Sequence, residues 1–245
     1  MPQCYVTIDD SPTPHTSALC DFLYNHRIPA LLFIRGDMVK TYGDKALIDA
    51  VKKGFILGNH SMTHRPFGDL SYEECIDEIE KTEDIITGIY KKAGVARPRR
   101  YFRFPYLDRG NGDRIERHFE KSNATDINSH PKVVALQKYL KEKGYSQPFQ
   151  CNHPVYKNSS IANAADCLMT FSSFDWMLLD RHKGQWPYQS IGDLKRRIDE
   201  DQMLNEKGIT SIIIMHDKPE PEFPPVFESL IDHMVIKGYE FLSIL

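Results

Sequence analysis

The 245-residue chain has no apolar run approaching the length needed to cross a bilayer, no block of like charge, no internal repeat and no regular spacing among its cysteines. The first absence excludes a membrane-spanning helix. The second, with 31 Lys and Arg against 34 Asp and Glu and a formal net charge of −3, leaves no surface suited to nucleic acid or to an acidic membrane, and neither partner is expected. Cys4, Cys20, Cys75, Cys151 and Cys167 are an odd number in a chain too large to need disulfide staples, so reduced and mostly buried thiols are expected. The N-terminus, Met1-Pro2-Gln3-Cys4-Tyr5, lacks a basic region followed by an apolar stretch. The sequence as it stands therefore suggests a cytoplasmic protein, or a secreted or periplasmic one if a leader was trimmed. Composition says nothing about the oligomeric state.

What is present is ordinary for a soluble protein: 41% apolar and 27% charged residues. The length suits an α/β barrel folded as a single domain over residues 1–245. Short apolar segments read as strands at Cys4-Tyr5-Val6-Thr7-Ile8, Ala30-Leu31-Leu32-Phe33-Ile34, Phe55-Ile56-Leu57, Tyr101-Phe102-Arg103-Phe104, Leu168-Met169-Thr170-Phe171, Ser211-Ile212-Ile213-Ile214-Met215 and Glu240-Phe241-Leu242. Helical periodicity lies between them, at 15–26, 44–53, 112–121, 131–143 and 190–206, and in a last helix carrying Phe227, Leu230, Ile231 and Met234. The clearest helix begins at Ser71-Tyr72-Glu73-Glu74, a capping box, and ends near Gly94. Roughly seven strands alternating with helices predict a parallel sheet or distorted (β/α) barrel. Residues 144–166 read as an elaborated loop, a place where specificity is often built.

Polar residues with chemical capacity fall at strand ends. Asp9 and Asp10 follow the first strand, His60 and His64 the third, Arg103 ends the fourth, Asp175 lies past a later one, and His216 and Asp217 follow Ser211–Met215. The carboxyl ends of strands are where parallel α/β folds build sites. Each piece alone has a plain explanation: His-x-x-x-His occurs by chance on surface helices, Asp-Asp before Ser-Pro is a turn or cap, and His216 fits a core histidine. Together they predict a metal site. Two imidazoles, brought together if residues 60–64 make a helical turn, plus one carboxylate suit Zn²⁺, with a fourth position open for water. One Asp of the pair would bind the ion while its neighbour accepts the water's proton, with Arg103 close by to keep that carboxylate charged.

These residues also resemble a known family, the NodB-like polysaccharide deacetylases, family four of the carbohydrate esterases. Thr7-Ile8-Asp9-Asp10 is similar to the Thr-Phe-Asp-Asp motif, which implies Asp9 as catalytic base and Asp10 as a metal ligand. His60-Ser61-Met62-Thr63-His64 matches His-(Ser/Thr)-x-x-His, implying His60 and His64 as the other ligands. Arg103-Phe104-Pro105-Tyr106 matches Arg-x-Pro-Tyr, implying that Arg103 steadies the base and that the Tyr106 N–H helps hold an oxyanion. Asp175-Trp176 resembles the end of Asp-x-x-Asp-Trp, with Asp175 orienting the acid and Trp176 walling the substrate groove. Ile214-Met215-His216 resembles Leu-x-His, implying His216 as the acid and Ile214 as a wall of the acyl pocket.

Departures from the family pattern are Ile8 and Ile214, both mild apolar exchanges, Ser172 at the first Asp of the fourth motif, and Leu107 where Gly commonly follows Tyr. Trp186 and Tyr188 read either as a sugar-stacking platform or as core or loop aromatics. Cys151-x-His153 reads as a loop rather than a second metal half-site. The resemblance implies a metal-dependent hydrolase, using Zn²⁺ or else Co²⁺ or Ni²⁺, that removes N-acetyl groups from an amino-sugar glycan. The alternatives are a same-fold amide or imide hydrolase or deformylase with a non-polymeric substrate, or a retired enzyme that only binds glycan.

Overall fold

A computed structural model describes residues 1–114, 127–128, 130–148, 152–157 and 162–244. The elements run β1 (Gln3–Ser11), α1 (Thr16–Asn25), β2 (Ala30–Ile34), α2 (Gly36–Tyr42), α3 (Lys45–Lys52), β3 (Ile56–Asn59), α4 (Tyr72–Ala93), α5 (Pro131–Glu142), β4 (Phe171–Ser172), α6 (Ile191–Glu200), α7 (Gln202–Asn205), β5 (Thr210–His216), α8 (Phe223–Ile236) and β6 (Glu240–Phe241). Every strand pairing is parallel, in the order β3-β2-β1-β5-β4, while β6 pairs with Gln3 and Cys4 of β1. The predicted strand at 101–104 makes only a single bridge, Phe102 opposite Asn59. Its other side still closes the ring: the Cys167 N–H donates to the Phe102 carbonyl at 2.6 Å, four residues before β4. The fold is α/β, a distorted barrel.

Alternation along the strands separates two apolar layers. Cys4, Val6 and Ile8 of β1 face the helices and join Ala30, Leu32, Ile34, Ile213 and Met215 in the main core. Tyr5 faces inward with Leu31, Phe33, Ile56, Tyr101 and Ile212. Continuing the inward parity toward the carboxyl ends gives Thr7 and Asp9, Gly58 and His60, Arg103, and Ile214 and His216. The site thus grows from the same face that fills the barrel. Gly58 is required by this packing, because a Cβ there would lie 2.6 Å from the Phe33 ring, over which the Arg103 guanidinium sits at 4.3 Å.

Helix α4 has the expected capping box: Ser71 Oγ accepts from the Glu74 N–H, and Glu74 Oε2 accepts from the Ser71 N–H. Gly94, at φ 69°, closes it in the left-handed conformation. The helix predicted at 190–206 is broken after Glu200, where Asp201 is extended and its side chain caps the Leu204 N–H. The predicted strand 168–171 contracts to Phe171–Ser172. Most of the helix predicted at 112–121, and part of the loop 144–166, lie outside the described residues. Cys4, Cys20 and Cys75 are buried free thiols, as expected, Cys167 is buried as well, and Cys151 lies outside the described residues. No described helix is long and apolar enough to cross a membrane.

Candidate active site and metal centre

The five strand ends do converge, on a cavity of about 370 Å³ lined by Asp9, Asp10, His60, His64, Tyr106, Trp176, Ile214 and His216 among others. Asp9 reaches it by strand parity. Asp10 has the opposite parity and would point toward the helices. It is turned by its own backbone, at φ 73°, where the register between β1 and β2 slips between Ile8 and Ser11. Residues 60–64 do not make the helical turn expected of them: Ser61 and His64 are left-handed, at φ 68° and 58°. The loop is held instead by its neighbours. The Gly36 and Asp37 N–H groups donate to the Ser61 and Met62 carbonyls, and Thr63 donates through N–H and Oγ1 to both oxygens of Glu78 on α4.

Positive φ is costly for residues with a Cβ, about 1–2 kcal/mol each. Among the described residues the non-glycine cases are Asp10, Arg27, Ser61, His64, Tyr106, Leu107 and Phe174. All but Arg27 lie within or beside the five motifs, so backbone strain is concentrated where the functional groups are aimed. Leu107, at φ 56°, occupies a conformation that Gly adopts freely.

The donor set fits a divalent ion. One ligand atom from each of Asp10, His60 and His64 lies within 4.8 Å of the others. His60 Nδ1 is 2.8 Å from the Arg103 carbonyl, which as an N–H donor leaves Nε2 as the lone pair. Asp10 Oδ1 is buried and makes no hydrogen bond among the described residues, with His64 Nε2 at 3.4 Å. Burial opposes charge on Asp10, but Lys218, His64, His60 and His216 outweigh it and hold the carboxyl well below its ordinary range. Burial likewise pushes His60 down and His64 well below the ordinary 6.5, keeping both in the neutral form that ligates metal.

Depressed histidines bind their proton in the unfolded chain before the folded one, so acid favours unfolding. The metal-free protein is expected to lose stability as pH falls from about 6.5, by up to about 1.4 kcal/mol per pH unit for each of the two groups. Urea midpoints that stay constant from pH 7 to pH 5 would contradict this.

Arg103 is fully buried and donates from Nη1 to Asp9 Oδ1 (2.6 Å) and Thr7 Oγ1 (2.8 Å), and from Nη2 to the Leu168 carbonyl. Burial would lower its pKa, but the Asp9 charge outweighs that and raises it. Asp175, also fully buried, accepts from the His216 backbone N–H (2.8 Å) and lies 2.6 Å from His216 Nδ1, leaving Nε2 as the free ring nitrogen. Its charge is favoured by His216 against the cost of burial, and its pKa is lowered. Ser172, at the departure in the fourth motif, accepts from the Phe174 N–H and lines the cavity without taking part in the Asp175 network.

Trp176 packs edge-on against Trp186 at 5.0 Å, and both line the cavity. Tyr188 does not. It stacks on Phe174 beneath Arg197, so only half of the expected aromatic pair faces the site. The sequence reading placed Asp217 at a strand end without giving it a role, and it missed Arg35 and Lys218. Buried Asp217 accepts from the hydroxyls of Ser11, Thr13 and Thr16, and its N–H donates to the Asp9 carbonyl, tying the end of β1 to the end of β5. Arg35 and Lys218 line the cavity, and each stands just beyond a strand, the signal that could have found them.

Comparison with known proteins agrees with this arrangement. The polysaccharide deacetylase family model matches residues 2–120. A chitooligosaccharide deacetylase of Rhizobium leguminosarum bv. trifolii is 36% identical over 98 residues, 40% of this chain and 45% of that protein. The peptidoglycan-N-acetylmuramic acid deacetylase PdaC of Bacillus subtilis is 36% identical over 85 residues, 34% of this chain and 18% of that protein. The matched segments thus span less than half the length of these relatives. The fold is shared more widely: the structure of the Bacillus subtilis peptidoglycan deacetylase PdaC superposes with a TM-score of 0.61 at 22% identity, over 99% of this chain and 87% of that one. A family 4 carbohydrate esterase from Streptomyces lividans gives 0.58 at 18% identity, over 97% and 90%. With the ordered motifs converging on one cavity, residues 2–120 match the polysaccharide deacetylase family, and the whole chain is similar in fold to carbohydrate esterases of the fourth family.

Proposed function

We propose that the protein is a metal-dependent hydrolase that removes N-acetyl groups from an amino-sugar glycan. The observation that carries this is the presence in one cavity of two separately partnered proton-transfer groups, Asp9 with Arg103 and His216 with Asp175, beside the Asp10, His60 and His64 donor set. A divalent ion held by those three side chains, zinc being the best match to the donors, would polarise the amide carbonyl and make water acidic. Asp9, oriented through Oδ1 by Arg103, takes the proton from the attacking water on Oδ2. The Tyr106 N–H donates to the oxygen that becomes negative as water adds to the acyl carbon. His216, steadied through Nδ1 by Asp175, delivers a proton from Nε2 to the nitrogen as the C–N bond breaks, so acetate and a free amine leave. Ile214 and Trp176 bound the acyl group and the sugar.

The test is acetate release from a panel of N-acetylated glycans by protein first stripped with chelator and then reloaded with Zn²⁺, Co²⁺ or Ni²⁺. Activity is expected only after reloading. Absence of acetate from every glycan with fully loaded protein would refute the proposal.

A further inference from the structure

Two cations in the cavity wall have no part in the chemistry above. Lys218 Nζ donates to Asp10 Oδ2, and Arg35 Nη1 lies 3.5 Å from Asp10 Oδ1. Their side chains are only 15% and 21% exposed, so both are set into the wall rather than spread over the surface. Arg35 has a second partner in Asp37, at 3.1 Å and 2.7 Å. Lys218 has only Asp10 as an ion-pair partner among the described residues. A divalent ion bound through Oδ1 would leave Oδ2 to Lys218, so that one carboxylate charge would serve both the dication and the ammonium. The other acid lining the cavity, Asp9, is committed to Arg103. A dication and an ammonium sharing one carboxylate in a largely buried wall would carry an excess of positive charge, and a buried charge without its own counter-charge is strongly unfavourable.

We propose that Lys218, with Arg35 beside it, recognises an anionic substituent, a carboxylate or a phosphate, on the sugar that carries the acyl amide. The preferred substrate is then an acidic N-acyl amino sugar rather than a neutral one. Lys218 lines the same cavity as His216, the proposed acid for the leaving nitrogen, and reaches a candidate ligand of the ion, which favours an anion on the reacting sugar over one on a distant unit of the glycan. Arg181, at the rim of the same cavity, is already paired with Glu220 and is not needed. The inference rests on the deacetylase reading for the identity of the sugar, and on charge alone for the preference.

Calorimetric titration separates the two. Zinc-loaded Asp9→Asn protein, in which turnover is slowed, is titrated with N-acetylmuramic acid, N-acetylglucosamine 6-phosphate and neutral N-acetylglucosamine. At low salt at least one acidic sugar is expected to bind about ten-fold or more tightly than the neutral one, the scale of a charge-assisted contact. Which of the two does so distinguishes carboxylate from phosphate. The preference should shrink as salt is added, and Lys218→Gln should reduce it to less than about three-fold while Lys218→Arg retains most of it. Equal binding of all three sugars, binding of none, or a preference untouched by both salt and Lys218→Gln overturns the proposal. If the preference is present but the wild-type zinc-loaded enzyme releases no acyl product from any of the sugars, the deacetylase reading fails and the anion subsite stands.

Discussion

Asp9→Asn is expected to lower turnover of an N-acetylated glycan by about 10²- to 10⁴-fold, the range over which a positioned general base acts, while zinc content stays near one ion per chain. The substitution keeps the shape of the side chain and leaves an amide oxygen for Arg103, whose hydrogen bonds to Thr7 and Leu168 do not involve Asp9. It removes the carboxylate oxygen, 3.6 Å from His60 Nε2, that receives the proton in the proposed reaction. Breaking a buried ion pair also costs stability, on the order of 3–5 kcal/mol for outright removal of a partner, so the comparison is made below the melting temperature of the variant. Turnover within a few-fold of wild type, in folded and zinc-loaded Asp9→Asn, would remove Asp9 from the role of base.

His64→Ala is expected to weaken zinc binding by more than about 100-fold, since loss of a group that merely orients a ligand already costs 10- to 100-fold. His64 is the most suitable of the three candidate ligands for this test. Its side chain is 16% exposed, against 3% each for His60 and Asp10, so truncation leaves little unfilled space and no orphaned charge. Its Nε2 lies toward Asp10 and its ring rests on His60 and on Tyr106, at 4.9 Å and 4.7 Å between centroids. Competition against a chelator of known affinity gives the change directly. Zinc retained with wild-type affinity by His64→Ala would mean that the ion binds elsewhere.

Much of the site was legible in the sequence because strand ends and side-chain chemistry are local signals. Asp9, His60, Arg103 and His216 share an inward parity that the alternation of β1, β3, residues 101–103 and β5 already implies. That Asp10 and not Asp9 is the candidate ligand was legible only through resemblance, since parity alone turns Asp10 away and its left-handed backbone is not something an aspartate advertises. The same holds for the His60–His64 loop. A helical turn was the natural expectation for histidines four apart, but the loop is shaped by contacts with Gly36, Asp37 and Glu78, none of them its sequence neighbours. The strand expected at 101–104 failed for a comparable reason: Arg103 and Phe104 have strand composition, but Pro105 and left-handed Tyr106 end the extended run before a ladder can form. Lys218 and Arg35 escaped notice because a lone cation beyond a strand carries no motif.

The register of β1 against β5 sets Asp9 directly opposite His216, so the two proton-transfer groups are nearest neighbours across parallel strands although most of the described chain separates them. The candidate ligands at 60 and 64 and the guanidinium at 103 emerge from a ribosome long before the proposed acid does. A nascent chain can therefore gather its candidate metal donors early, but it cannot complete the proposed catalytic pair until β5 slides in beside β1 as one of the last long-range contacts. Under the proposed function, synthesis of this protein should show metal uptake and the onset of hydrolysis as two events separated in time.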